Sequence, residues 1–246
     1  MPPSARAFSD LLSAIMLLSR LPVRGTPTSP AAAAAWAWPL VGGLVAMMAS
    51  AIGWIAFWLG VTPAVAAALT LASLVMLTGA LHEDGLADVA DGFWGGFTPA
   101  RRLEIMRDSR IGAYGVIALV LSLTIRWSLI ATTMILMTPL ALVIAAVVSR
   151  APMALLMRWL PHAREDGLSR GAGRPSAGAC LIGAGIAALA LAPMGARGIV
   201  AAVLVTVVLL GIGWLARRKI GGQTGDVLGT VQQLSEIAVL VALTSG

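Results

Sequence analysis

The sequence predicts an all-α protein: a polytopic transmembrane bundle of about seven helices, with an N-terminal stretch suited to an interfacial or re-entrant helix. Three observations predict it. Of 246 residues, 59% are hydrophobic, and the mean hydropathy is +0.91. Only 11% are charged, against roughly a quarter in soluble domains, too few to coat a water-soluble particle. The apolar residues also fall in long runs rather than at alternating or heptad positions. A secreted disulfide scaffold is excluded by the single cysteine, Cys180, read as an inert apolar filler. Disorder is excluded by hydrophobicity. The net charge of +6 does not signal nucleic acid, because the arginines are scattered between apolar runs and form no basic face.

Phe8 to Leu21 has a short apolar core with Asp10 near its start and Arg20 near its end, a pattern for a helix at the lipid surface. Spans are then expected at 32–60, 63–81, 113–137, 138–160, 179–194, 198–216 and 227–245. A bilayer core needs roughly 20 helical residues, so 179–194 is short. Arg101, Arg102, Arg107 and Arg110 fall in segment 82–112, Arg164, Arg170 and Arg174 in 161–178, and Arg217, Arg218 and Lys219 in 217–226. The hairpins near 61 and 138 carry no charge, and the one near 197 has only Arg197. The positive-inside rule therefore places the three basic segments in the cytoplasm of a multi-pass inner-membrane protein. Tryptophans Trp36, Trp38, Trp54 and Trp58 lie toward the two ends of one span, as an interface belt would place them.

The acids are concentrated. Six of eleven (Glu83, Asp84, Asp88, Asp91, Glu104, Asp108) occupy 26 positions, where uniform scatter would put about one. On a helix continuing past Leu81, Asp84, Asp88 and Asp91 fall at i, i+4 and i+7 and share one face. Carboxylates on one stripe without an intervening lysine require a cation, and oxygen-only ligands favour Mg²⁺ or Mn²⁺. Mg²⁺ usually takes one or two carboxylates plus phosphate oxygens, which points to a phosphorylated substrate. The arginines that follow supply planar, bidentate phosphate donors. A polar loop with Asp-Gly turns would explain each residue singly, but not three aspartates at helical spacing among Leu86, Ala87, Val89 and Ala90.

Asp108, between Arg107 and Arg110, is read as a substrate contact, while Asp226, after Gly225, serves equally well as a helix cap or as part of the site. Glu104 is read as an ion-pair partner of Arg101 or Arg107. Arg126 and Arg150 lie at membrane depth. An interior polar partner is expected for Arg150, and Arg126 fits either an interior or a snorkelling role.

His82-Glu83-Asp84-Gly85-Leu86-Ala87-Asp88-Val89-Ala90-Asp91-Gly92, followed by Leu103-Glu104-Ile105-Met106-Arg107-Asp108-Ser109-Arg110-Ile111-Gly112-Ala113-Tyr114-Gly115, resembles the cobalamin synthase family of adenosylcobinamide-GDP ribazoletransferases. Gly221-Gly222-Gln223-Thr224-Gly225-Asp226-Val227-Leu228-Gly229 resembles that family's end motif, and Ser19-Arg20-Leu21-Pro22 and Pro39-Leu40-Val41-Gly42 fit more loosely. The resemblance implies a Mg²⁺-dependent membrane enzyme that joins adenosylcobinamide-GDP to α-ribazole, or its 5′-phosphate, and releases GMP. On that reading Asp84, Asp88 and Asp91 hold metal with help from Glu83. Arg107, Asp108, Arg110, Gly225 and Asp226 contact substrate, and Asp88 or His82 receives the nucleophile's proton.

Two other readings compete. A CDP-alcohol phosphotransferase places an Ala-Arg pair where this chain has Asp88-Val89. A cation transporter places its acids near the bilayer midplane rather than at one edge.

Overall fold

The computed structural model describes residues 3–26 and 30–245. Eleven α-helices follow in order among these residues: α1 (Pro3–Leu18), α2 (Trp38–Trp58), α3 (Pro63–Thr78), α4 (Leu81–Gly95), α5 (Pro99–Ile105), α6 (Ala113–Ile135), α7 (Ala141–Trp159), α8 (Leu168–Ala172), α9 (Ala177–Leu191), α10 (Gly195–Ile220) and α11 (Gly225–Thr244). A 3-10 segment, Ala31–Ala37, leads into α2, and another, Ala192–Met194, joins α9 to α10. Local chemistry sets many of the ends. Pro63 and Pro99 open α3 and α5, where a missing N–H costs nothing. The hydroxyls of Thr98, Ser176 and Thr224 accept the first free backbone N–H groups of α5, α9 and α11.

Five helical runs among the described residues are long and apolar enough to cross a membrane: Ala31–Trp58, Ala113–Ile135, Ala141–Trp159, Ala177–Ile220 and Gly225–Thr244. A sixth is added if α3 and α4, bent by 86°, form one broken span. The 44-residue run Ala177–Ile220 would extend about 66 Å if straight, far beyond a bilayer. It turns back where Gly195 takes φ +56. The Cys180 thiol reaches Ala154 O (3.5 Å), and Gly213 packs on Leu156 and Trp159, so both limbs meet the last turns of α7. The expected spans 179–194 and 198–216 are these two limbs.

The expected span 63–81 is not straight. Consecutive left-handed residues, Gly79 (φ 67) and Ala80 (φ 57), end α3 and swing α4 aside. Nor is segment 82–112 wholly a loop, because its first half is α4, packed against α6 and α11. Small side chains allow close helix approach elsewhere: Ala46, Ala49, Ala66, Ala67, Ala145 and Ala146 are buried between α2, α3 and α7. Large apolar side chains such as Ile117, Val120, Leu121, Val203, Val207 and Leu210 are exposed instead, as lipid contact requires. Helix α1 is not among the candidate spans. It packs on the Ala31–Ala37 segment and α2, and Trp36 Nε1 donates to Asp10 Oδ2 (3.1 Å).

Both deep arginines have interior partners. Arg126 donates to Glu83 Oε1 (2.6 Å), Gln233 Oε1 (2.9 Å) and Glu236 Oε1 (2.8 Å). Arg150 donates to Glu236 Oε2 (2.9 Å), Ser149 Oγ and Ala146 O. Two arginines and two glutamates cancel in charge, and the network ties α4, α6, α7 and α11 together. Of the expected tryptophan belt, Trp58 is exposed, but Trp38 is 1% exposed and faces the interior.

Candidate active site at the crossing of α4 and α11

The three basic segments expected on one side of the membrane do meet at one end of the bundle. Arg102 donates to Gly96 O and Lys219 O, Lys219 Nζ to Phe93 O, and Arg107 to Asp166. At this end α4 crosses α11 with backbone against backbone. A Cβ on Gly85 would stand 2.9 Å from Asp226 Cα and O, and one on Gly229 would stand 3.2 Å from His82 Cα. Thr230 Oγ1 donates across the crossing to Gly85 O (3.2 Å). This contact sets Asp226 beside Asp84 and Asp88.

Asp84 is exposed and Asp88 half-buried, and neither carboxylate has a hydrogen-bond or ion-pair partner among the described residues. The charges that bear on Asp88 are those of Asp226, Asp84 and Asp91, opposed by Arg164. Arg164 Nη2 donates to Asp226 Oδ2 (3.2 Å). It is held there by a staple between the loop after α7 and the Gly221–Gly225 turn: Ala163 N to Gln223 O (2.9 Å), Gln223 N to Pro161 O (2.9 Å), and the Gln223 side chain between His162 Nδ1 and Ser169 Oγ. Asp84, Asp226 and Arg164 line a cavity of about 140 Å³ between α1, α2, α4, α7 and α11.

Other expected site residues lie elsewhere. Asp91, expected to bind metal, caps α6 instead: its Oδ2 accepts from Gly112 N (2.7 Å) and its Oδ1 from Gly115 N (2.9 Å). That helix has no side-chain cap of its own, so its free N–H groups take a carboxylate from α4. Asp91→Ala is therefore expected to cost about 1–2 kcal/mol, read as a lower thermal midpoint, while Mn²⁺ affinity stays as in the parent. Weakened Mn²⁺ binding at unchanged stability would restore Asp91 as a ligand. Glu83, also expected at the metal, faces inward and is committed to Arg126 and Gln233. His82, expected near the reacting proton, does line the cavity, but it is 2% exposed and packs against Gly229.

The expected substrate contacts Arg107, Asp108 and Arg110 stand in exposed ion pairs away from the cavity lining. Arg107 pairs with Asp166 (2.5 Å), and Arg110 with Asp108 (2.7 Å). Hydrogen bonds from Arg110 hold the Asp108 carboxyl at about 2. Arg101 pairs with Glu104 (2.8 Å), as expected. Gly225 and Asp226 do line the cavity.

Among the described residues no three His, Cys, Asp or Glu side chains, Asp84, Asp88 and Asp226 included, converge as they stand on a position where they could hold a metal ion together. The donor set of Asp84, Asp88 and Asp226 is carboxylate oxygen only and partly open to solvent. That chemistry suits a hard cation that keeps waters, takes one or two of these carboxylates and completes its shell with phosphate oxygens of a substrate. The glycine at the crossing is essential to this arrangement. Gly85→Val would drive α4 from α11, and a shift of about 1 Å in site geometry can cost about 100-fold in rate. That loss is expected with helix content unchanged by circular dichroism, and normal turnover would show that the crossing does not set the site.

The fold and this site define a polytopic helical membrane protein with an acid-lined cavity at its basic end. The chain belongs to the cobalamin-5-phosphate synthase family, whose model matches residues 10–244. It is 45% identical over 250 residues to a protein of Mesorhizobium japonicum, covering 96% of this chain and 94% of that one. It is 45% identical over 255 residues to one of Azorhizobium caulinodans (97% and 96% covered) and 44% over 241 residues to one of Bradyrhizobium diazoefficiens (95% and 92%). Each of these relatives is named adenosylcobinamide-GDP ribazoletransferase. No solved structure matches the chain.

Proposed function

We propose that this chain transfers the adenosylcobinamide phosphate group from adenosylcobinamide-GDP to α-ribazole, or its 5′-phosphate, with release of GMP, at the cytoplasmic face of an inner membrane. A ribose hydroxyl attacks the phosphorus that carries cobinamide. The new P–O bond forms as the bond to the GMP oxygen breaks. The observation that carries this reading is the α4–α11 crossing, which brings Asp226 beside Asp84 and Asp88, two carboxylates with no partner among the described residues, with Arg164 at the same cavity.

Asp84, Asp88 and Asp226 would hold Mg²⁺. Bound there, the ion supplies Lewis-acid neutralisation of the diphosphate charge. Arg164 donates to a phosphate oxygen in exchange for part of its hold on Asp226. Asp88 takes the proton of the attacking hydroxyl. Arg107 and Arg110 are held by exposed ion pairs, which water screens and weakens, so both are free to turn to the diphosphate when it arrives.

The competing nucleotide chemistry is separated by product. The purified chain in lipid vesicles is expected to release GMP from adenosylcobinamide-GDP with α-ribazole and no CMP from a CDP-alcohol. CMP release without GMP release would overturn the proposal.

A further inference from the structure

The basic end of the bundle carries cations that the transfer chemistry does not use. Arg217, Arg218 and Lys219 are consecutive in the last turn of α10 and lie outside the lining of the cavity at Asp84 and Asp226. None of the three pairs with a carboxylate among the described residues. Lys219 Nζ donates to Phe93 O (2.9 Å) and lies 5.6 Å from the Trp94 ring centroid, and the Arg218 guanidinium lies 5.3 Å from that of Trp214. Arg102 Nη1 donates to Lys219 O (2.9 Å) and its Nε to Gly96 O (2.9 Å), so the end of α10 is tied to the turn between α4 and α5. On that turn Phe97 is 91% exposed, and Trp94 is exposed at the end of α4.

The face of α10 that leads to these cations is apolar. Val203, Val207, Leu210 and Trp214, each more than half exposed, follow at i, i+4, i+7 and i+11, and Arg217 and Arg218 continue the same face. From Val203 to Trp214 a helix rises about 16 Å, close to half of a hydrocarbon core about 30 Å thick. The stripe is one leaflet deep and ends in unpaired charge. The macrodipole of α10 favours cations at its C-terminus, but it accounts for neither the stripe nor the exposed Phe97. We propose that this face binds an anionic phospholipid of the leaflet at the basic end. An acyl chain lies along Val203, Val207 and Leu210, the phosphate meets Arg217 and Arg218, and Trp214, Trp94 and Phe97 sit at headgroup level, where aromatic side chains collect. A zwitterionic lipid would cover the stripe and leave the cations unneutralised. An acidic protein or nucleic acid would meet the cations and leave the stripe uncovered.

The test uses the full chain in nanodiscs holding phosphatidylcholine and phosphatidylglycerol in equal shares, with native mass spectrometry to count the headgroups that stay bound. The parent is expected to retain phosphatidylglycerol in preference to phosphatidylcholine. Arg217→Gln and Arg218→Gln should each lower that preference about fivefold, and the double variant by about tenfold or more, since each cation at an anionic surface is worth about a factor of five. Neither guanidinium makes a hydrogen bond or ion pair among the described residues, so the thermal midpoint in pure phosphatidylcholine should match the parent. Arg170→Gln removes the same charge from an arginine already paired with Glu165 (3.0 Å) and should keep the preference. Equal retention of the two lipids by the parent, or an unchanged preference in the double variant, would overturn the assignment. An equal loss in Arg170→Gln would also overturn it, by reducing the effect to overall charge. So would a rise in the parent's thermal midpoint with glycerol 3-phosphate in pure phosphatidylcholine that matches the rise with phosphatidylglycerol, because the site would then belong to a soluble phosphate compound.

Discussion

Asp84→Asn and Asp88→Asn are each expected to lower GMP release about 10³-fold while leaving the protein folded in the membrane. Neither carboxylate is used by the fold: both lack hydrogen-bond and ion-pair partners among the described residues, so neutralising either removes charge without stranding a donor. Folding should if anything gain, because Asp88 sits among Asp84, Asp91 and Asp226 with Arg164 opposing them, and like charges at short range repel. Loss of function at equal or higher thermal stability distinguishes site carboxylates from structural ones. The measurement pairs GMP release with a thermal midpoint for each variant. Near-normal turnover in both would remove Asp84 and Asp88 from the chemistry.

The opposite outcome is expected for the deep network. Arg126→Met leaves Glu83 and Glu236 buried, at 6% and 0% exposure, with one fewer cation to oppose them. Breaking a buried ion pair on one side costs about 3–5 kcal/mol, a large fraction of a typical stability of about 5–15 kcal/mol. The expected readout is loss of the monodisperse protein on extraction. Adding Glu83→Gln to Arg126→Met leaves Arg150 and Glu236 as a balanced pair and should restore most of the folded yield. A single variant that behaves like the parent, or a double variant no better than the single, would contradict the charge-balance account.

Much of the fold was legible because hydrophobic runs of bilayer length have few alternative structures. Each expected span corresponds to a helix or to one limb of a turned run. The break at Gly79–Ala80 was not legible: the apolar run continues to Leu81, and nothing in composition distinguishes a straight helix from two helices joined by left-handed residues. That break had consequences for the site. A continuous helix would present Asp84, Asp88 and Asp91 as one stripe facing one ligand. The bent one packs into the bundle, so the stripe is divided: the N-terminus of α6 takes Asp91, and Asp84 and Asp88 have no partner among the described residues, while Glu83, off the stripe, turns inward to Arg126.

Residues brought in from distant sequence were harder to find. Arg164 stood in the sequence as one of several loop arginines, and only the pairing of its loop with Gln223 puts it on Asp226. Glu236 carried a usable signal, an acid within a hydrophobic run preceded by Gln232 and Gln233. At helical spacing these three polar residues mark an inward face, which is the partner that Arg150 required. Trp38 was read as a belt residue from its place near a span end, and its burial follows from α1 and the Ala31–Ala37 segment covering that end of α2.

The most direct test of the whole account is GMP release from adenosylcobinamide-GDP and α-ribazole by the chelator-treated chain in lipid, with Mg²⁺ titrated from zero. If Asp84, Asp88 and Asp226 grip a divalent ion that activates the diphosphate, release is absent without metal, rises to saturation with Mg²⁺, and requires more Mg²⁺ when Asp226 is replaced by asparagine. Full release in the presence of chelator, or a titration curve that the Asp226 substitution leaves in place, would contradict it.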